Sequence, residues 1–141
     1  MIEVSLLLHR IVYALDRAAD RRLRDQFGVS HGRAVLLRVI GIKGPCSQHE
    51  LAVELGHTDP AITSMVRELV SGGLVEVRPD PDNGRRRLVS LTATGADLVA
   101  RVTAFLDAAM AELVSAADVD TRTLVAELTK IDAVLGPTGD I

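Results

Sequence analysis

Hydrophobic residues recur at helical spacing in the outer parts of the chain, and the pattern changes to that of β-strands past its middle. Apolar positions repeat every three or four residues from about Ile2 to Gln26, from Ser30 to about Ile40 and from Ala93 to Val114. This spacing predicts amphipathic helices. For the second helix we expect an inner face that carries Ala34, Val35, Leu37 and Val39.

A last helix follows Asp118 or Asp120, either of which can cap it, and Gly136-Pro137 ends it. The first helix and the last two carry more hydrophobic side chains than one small lobe can cover. We therefore expect residues 1–27 and 93–136 to interlock with the same segments of a second chain. The apolar stripe of the last helix is Leu124, Leu128, Ile131 and Leu135.

A capping box lies at Ser47–Glu50, where the serine hydroxyl and the glutamate carboxylate can each accept a backbone N–H of the first turn. Cys46 and Leu51 flank the cap and are placed for a hydrophobic staple. The short helix that follows ends at Gly56. We expect it to bury Leu51, Ala52 and Leu55.

A second short helix begins after Thr58 or Asp59, accepts Pro60 in its first turn, and ends at Gly72-Gly73. Two short helices joined by a turn that contains glycine are typical of a helix-turn-helix. The buried stripe of this second helix is Ile62, Met65, Val66 and Leu69.

Two β-favouring segments follow, Leu74–Arg78 and Arg87–Leu91. Asn83-Gly84 lies between them and predicts a hairpin turn, because both residues tolerate positive φ. A hairpin directly after a helix-turn-helix is a wing. The sequence thus predicts a single, mainly helical domain over residues 1–141, with a winged helix-turn-helix lobe at 30–92 between N- and C-terminal dimerisation helices.

Composition is consistent with a globular chain of 141 residues, 48% hydrophobic and only 2% aromatic. The net charge of −3 argues against nucleic-acid binding unless positive charge is concentrated in one place. The wing does concentrate it, with Arg78, Arg85, Arg86 and Arg87 against two aspartates.

A single cysteine excludes an intramolecular disulfide, and with no signal peptide or apolar span we expect a cytoplasmic protein. Cys46 has two interpretations, a peroxide sensor or the staple residue, and the staple is favoured. The histidines show no compact metal-binding spacing. We find no phosphate-binding glycine loop, nucleophile elbow or metalloprotease helix, so neither an enzyme nor a cofactor is expected.

A set of short motifs runs in a fixed order through the predicted helix-turn-helix, the wing and the start of the next helix: Leu51-Ala52, Leu55-Gly56, Ile62-Thr63, Val66, Leu69, Gly73-Leu74-Val75, Arg78, Asp80-Pro81-Asp82, Arg85, Leu91-Thr92 and Gly95. With these residues the sequence resembles, over nearly its full length, the MarR family of bacterial transcription regulators. One position departs from the family pattern: the acid that usually stands two residues before the key wing arginine is replaced by Asn83, so the usual Asp–Arg pairing is not assumed.

The resemblance implies that the recognition helix lies in the major groove of DNA and that the wing reaches the neighbouring minor groove. Hydroxyls can bond phosphates or base edges, and an arginine can bind guanine with two hydrogen bonds. Arginine is also favoured in a narrow minor groove, and Arg85 fits that family position. The candidate DNA contacts are Ser47, Pro60, Ala61, Thr63, Ser64, Arg67, Arg78, Arg85, Arg86 and Arg87.

Family members commonly bind small anions between the dimer arm and the DNA-binding lobe and then release DNA. The candidates here for such an effector site are Tyr13, Arg17, His31 and Phe105. The expected function is a sequence-specific regulator, a repressor, that binds an inverted repeat as a homodimer. The alternative is a winged-helix protein-interaction module, motivated by the acidic total and by a recognition helix whose Arg67 is offset by Glu68.

Overall fold

The computed structural model describes residues 2–136, with the backbone alone described at Ile2. Within them, the fold is mainly helical with a two-stranded antiparallel wing, as the sequence predicted. Met1 and Pro137, the residue expected to help end the last helix, lie outside the described residues. The elements are α1 (Ile2–Phe27), α2 (His31–Lys43), α3 (Gln48–Leu55), α4 (Asp59–Ser71), β1 (Val75–Asp80), β2 (Asn83–Leu91), α5 (Ala93–Ala116) and α6 (Thr121–Leu135).

Side-chain caps begin the helices from α2 onward. The capping box of α3 is confirmed: Ser47 Oγ accepts the Glu50 N–H at 3.1 Å, and Glu50 Oε2 accepts the Ser47 N–H at 2.7 Å. Thr58 caps α4 and Asp120 caps α6, which settles the two alternatives that the sequence left open. These bonds satisfy amides that have no partner inside the helix.

The buried core lies between the C-terminal part of α1, α2, α3, α4, the wing strands and the first half of α5. The expected inner face of α2 was partly wrong: Val35 and Val39 are half-buried, whereas Leu36 and Ile40 are buried beside Ala34 and Leu37. The reason is that α2 contacts α1, α3, α5 and β2, so its apolar surface is wider than one stripe. None of the helices in residues 2–136 is both long and apolar enough to cross a membrane.

The wing turn lies at Pro81-Asp82, and the expectation that Asn83-Gly84 forms it was wrong. Asp80 Oδ1 accepts the Asp82 N–H at 2.9 Å, which closes the turn two residues earlier than expected. Asn83 and Gly84 begin β2 instead, and neither adopts a positive φ.

The wing sheet is extended by a backbone bridge that the sequence did not reveal. The Cys46 N–H donates to the Val89 carbonyl at 3.1 Å, and the Val89 N–H donates to the Cys46 carbonyl at 2.7 Å. The segment before α3 is thereby attached to β2. The base of the wing and the start of the helix-turn-helix consequently form one hydrogen-bonded unit.

Candidate nucleic-acid interface

The outward face of α4 is polar, and its inward face is apolar. Ile62, Val66 and Leu69 are buried, while Thr63 and Arg67 are exposed. This division follows from the helical period, which places residues three and four apart on the same side. Of the other predicted contact residues on this helix, Ala61 is half-buried, and Pro60 and Ser64 are exposed.

The first turn of α3 lies beside the first half of α4. The Thr63 hydroxyl donates to Gln48 Oε1 at 2.8 Å, and His49 Nδ1 lies 3.0 Å from an Asp59 carboxylate oxygen. Gln48 was not among the residues singled out from the sequence. Its position directly after the Ser47 cap was the available signal, because a first-turn side chain next to the recognition helix can reach the same surface.

Ser47 is half-buried and uses its Oγ as the acceptor of the α3 cap. A hydroxyl that accepts one hydrogen bond can still donate another. The hydroxyl hydrogen of Ser47 can therefore go to the nearby Glu50 carboxylate, whose pKa it helps to lower, or to a phosphate. Asp59, at the start of α4, faces His49 and has its negative charge close to a basic ring.

The acidic side chain next to Arg67 is paired with a cation from another helix. Glu68 accepts hydrogen bonds from the Arg33 guanidinium of α2. The sequence suggested that Glu68 would offset the charge of Arg67. Instead Arg33 partly neutralises Glu68, so the outward face of α4 is less acidic than the local sequence implies.

The four wing arginines have different surroundings. Arg78 is exposed and pairs with Glu76 on its own strand at 2.9 Å. Arg86 is half-buried and turns towards α3, where its guanidinium lies 2.6 Å from Glu50. Arg85 and Arg87 are exposed, and within the described part of the chain neither lies within ion-pair distance of an acid.

Asn83 contacts Arg85 through the backbone and not through the guanidinium. Its Oδ1 accepts the Arg85 N–H at 3.2 Å. The asparagine at this departure from the family pattern therefore fixes the local chain and leaves the Arg85 side chain exposed to solvent.

Hydrogen bonds set the ionisation of the Glu50–Arg86 pair. The Ser47 backbone N–H, followed by the Arg86 guanidinium, holds the pKa of Glu50 below its usual range. The hydrogen bond from Arg86 to Glu50 likewise raises the pKa of the arginine. Both groups are charged over the range of pH in which proteins are normally handled.

Three of the four predicted effector residues meet in a shallow concavity of about 440 Å³ beside α1 and the start of α2. Arg17 Nη1 donates to the Tyr13 hydroxyl at 3.0 Å, and His31 Nε2 lies 3.1 Å from an Asp16 carboxylate oxygen. Phe105 does not line this concavity. It packs edge-on against Phe27, with 5.6 Å between the ring centroids.

Cys46 is 5% exposed, and burial, followed by the charge of Glu50, raises the pKa of its thiol. The thiolate is the form that reacts with oxidants. These surroundings favour the packing interpretation over the peroxide-sensor interpretation.

Comparison with known proteins connects this arrangement to a family. Residues 27–86 match the model of the MarR family. Among solved structures, the transcriptional regulator BldR from Sulfolobus solfataricus is similar in fold, with a TM-score of 0.82 at 24% identity over 92% of each chain. No curated protein sequence matches the chain.

Two similar structures contain DNA. The S. aureus MepR–DNA complex has a TM-score of 0.77 at 25% identity and covers 94% of this chain and 97% of its own. A mutant MarR from E. coli complexed with operator DNA has a TM-score of 0.78 at 25% identity, over 92% of this chain and 94% of its own. The resemblance noted in the sequence is thus confirmed.

Proposed function

We propose that the protein binds a specific duplex DNA sequence as a homodimer and represses transcription, because residues 27–86 match the model of the MarR family. The observation that carries the proposal is the adjacency of three elements: the polar face of α4, the first turn of α3 and the wing. The Gln48–Thr63 and Glu50–Arg86 contacts hold these elements together. The DNA complexes of MepR and MarR support the same partner.

In this proposal α4 is the recognition helix and enters the major groove. Thr63, Ser64 and Arg67 are exposed on its outward face and can reach base edges, while Pro60 and Ala61 lie at its first turn. Ser47 donates to a phosphate beside the groove.

The wing lies over the neighbouring minor groove. There Arg85 and Arg87 are exposed and carry charges with no acidic partner among the described residues, which suits them to phosphates and to a narrow groove. Arg78, already paired with Glu76, is a weaker contact at the edge of the wing. Residues 30–92 would thus form the DNA-binding lobe.

The homodimer is proposed from the apolar surface that a single chain leaves uncovered. No residue of α6 is buried, and its Ile131 and Val134 are 47% and 70% exposed. On α1, Leu6 and Val12 are 63% and 54% exposed. Apolar surface of this extent on long helices is typical of obligate interfaces. We therefore assign residues 1–27 and 93–136 to the dimer interface.

A two-fold dimer would bind DNA with two-fold symmetry. Its two recognition helices would lie about 34–36 Å apart, one turn of the double helix. The expected operator is consequently an inverted repeat.

A small-molecule effector would act at the concavity lined by Tyr13, Arg17 and His31. This concavity lies beside α1, in the proposed dimer arm, and beside the start of α2, in the DNA-binding lobe. A ligand that binds more tightly to the dimer conformation unable to bind DNA would shift the population towards that conformation and so lower the affinity for DNA. Phe105 would contribute only indirectly, through its packing on Phe27.

The experiment is selection of bound sequences from a random duplex pool, followed by measurement of affinity against salt concentration for the sequence that is recovered. Recovery of an inverted repeat that binds two chains supports the proposal. If no motif emerges and duplex binding stays weak at every salt concentration, the proposal is wrong and the protein-interaction alternative replaces it.

A further inference from the structure

Arg86 lies between two carboxylates that belong to different elements. One guanidinium nitrogen is 2.6 Å from Glu50 Oε1 on α3, and another is 3.9 Å from Asp80 Oδ2 at the end of β1. Asp80 is only 11% exposed at its side chain, and its other oxygen closes the wing turn through the Asp82 N–H. A chain of polar contacts therefore runs from the wing turn, through Arg86, to the first turn of α3.

The β-ladder leaves this part of the wing without backbone pairing. Pro79 pairs with Arg87, and Asp80 pairs with Asn83, so residues 84–86 have no partner on β1. Such a bulge is usually a site where a strand re-aims its side chains. Because the ladder does not position these residues, side-chain contacts must do so, and Arg86 makes them to both neighbouring elements.

Both carboxylate oxygens of Glu50 take part in the same network. Its Oε2 accepts the Ser47 N–H at the start of α3, and its Oε1 faces Arg86. The capping box fixes the carboxylate, and the carboxylate in turn fixes the arginine. The two side chains are partly exposed, 40% at Arg86 and 46% at Glu50, but the Glu50 carboxylate is held in place by the capping box. The pair therefore differs from a surface ion pair in which both partners are mobile.

We propose that Arg86 is a positioning residue and not a DNA contact: together with Glu50 and Asp80 it braces the wing against α3 and so sets where Arg85 meets the DNA. The inference rests on the proposed DNA binding. It reverses the sequence-based assignment of Arg86 as a contact and adds Glu50, which that assignment did not include.

A bracing role and a purely electrostatic role for Glu50 predict opposite changes in DNA affinity for the same substitution. Glu50 is an acid beside the proposed DNA surface, so its removal should tighten binding if charge alone matters. If Glu50 holds the wing, the Glu50→Gln variant should bind more weakly. Glutamine keeps the capping box, because its side-chain oxygen can still accept the Ser47 N–H. The substitution therefore tests the wing contact without removing the helix cap.

The test measures duplex affinity against salt for the full-length wild type, E50Q, R85A and the double variant. We expect E50Q to bind about tenfold more weakly, with a shallower salt dependence although no positive charge is removed. In the R85A background, E50Q should cause little further loss, because the brace acts through Arg85. Equal or tighter binding by E50Q, or losses that simply add in the double variant, would overturn the inference.

Amide hydrogen exchange of the free protein separates this inference from the proposed function. We expect E50Q to accelerate exchange at Asp82 and Arg85, whose N–H groups are hydrogen-bonded to the Asp80 and Asn83 side chains in the wing, while thermal unfolding stays close to that of the wild type. Unchanged exchange in the wing overturns the brace, whether or not DNA binds. If exchange accelerates but the wild type recovers no DNA motif, the proposed function is wrong and the brace stands as a structural contact only.

Discussion

Gly95, in the first turn of α5, lies directly against the backbone of Leu74, the residue before β1. A Cβ atom at Gly95 would be 1.9 Å from the Leu74 carbonyl oxygen. The Thr92 N–H donates to that same oxygen at 3.1 Å, and the Thr92 hydroxyl donates to the Gly73 carbonyl at 2.6 Å. This close approach fixes the start of α5 against the end of the helix-turn-helix, and with it the direction in which α5 leaves the lobe.

We expect the Gly95→Ala variant to lose about 3 kcal/mol of unfolding free energy, because the methyl group must displace backbone and not a flexible side chain. The matched control is Gly84→Ala, where nothing lies within 4 Å of the added Cβ. That variant should change stability by less than about 0.5 kcal/mol. Urea denaturation measures both, and equal stability of the two variants would show that the contact between α5 and Leu74 is not tight.

The Arg85→Ala variant should bind duplex DNA more weakly and reduce the slope of log affinity against log salt by about one. The reason is the loss of an exposed cation with no acidic partner among residues 2–136. Lys43→Ala removes a cation of α2 that pairs with Glu54 and lies outside both the wing and the proposed dimer segments, and it serves as the control. An equal loss of DNA affinity in both variants would mean that the net charge of the protein, and not the position of Arg85 in the wing, governs binding.

The proposed dimer predicts that the Leu128→Glu variant is monomeric at concentrations where the wild type associates. Leu128 is 43% exposed on α6, and a carboxylate buried in an apolar interface lacks a partner. We expect the dissociation constant of the dimer to rise by about 100-fold or more. Ile42→Glu on α2, where the side chain is 84% exposed, is the control and should leave the dimer intact. Sedimentation equilibrium measures both, and a dimeric Leu128→Glu protein would place the interface elsewhere.

Stability should depend on the ionisation of Asp20. Hydrogen bonds from the Arg24 side chain and the His31 backbone N–H hold its pKa below the usual value. Because the pKa is lower in the folded state, the stabilisation is fully present above about pH 4, the range of a free aspartate, and is lost as pH falls through the folded value. Asp20→Asn keeps an acceptor for His31 but loses the ion pair. The variant should therefore be less stable than the wild type near neutral pH, and the difference should shrink in acid. A difference that persists unchanged in acid would contradict this assignment.

Cys46 should react slowly with alkylating reagents in the folded protein. The thiol is 5% exposed, and burial raises its pKa. We expect mass spectrometry to show fast modification only after unfolding in denaturant, which serves as the internal control. Rapid modification under native conditions would reopen the peroxide-sensor interpretation.

The sequence by itself determined the order of the elements and where the helices begin. Each depends on residues that are neighbours along the chain: Ser47 and Glu50 cap α3 across three residues, and the stripe that includes Ile62 and Val66 defines the buried face of α4. Interactions of this range are encoded locally, so hydrophobic periodicity and capping residues predict them. The family resemblance came from the same local patterns in their order along the chain.

Only the tertiary structure decided which polar groups meet. The Thr63–Gln48 bond joins residues 15 apart, and the Glu50–Arg86 pair joins α3 to the wing. The turn at Pro81-Asp82 formed where the Asp80 side chain could accept a backbone N–H, against the stronger local preference of Asn83-Gly84. The local sequence determines which backbone conformations have a low free energy. Packing between distant elements then selects among them, because it fixes where each side chain finds its partner.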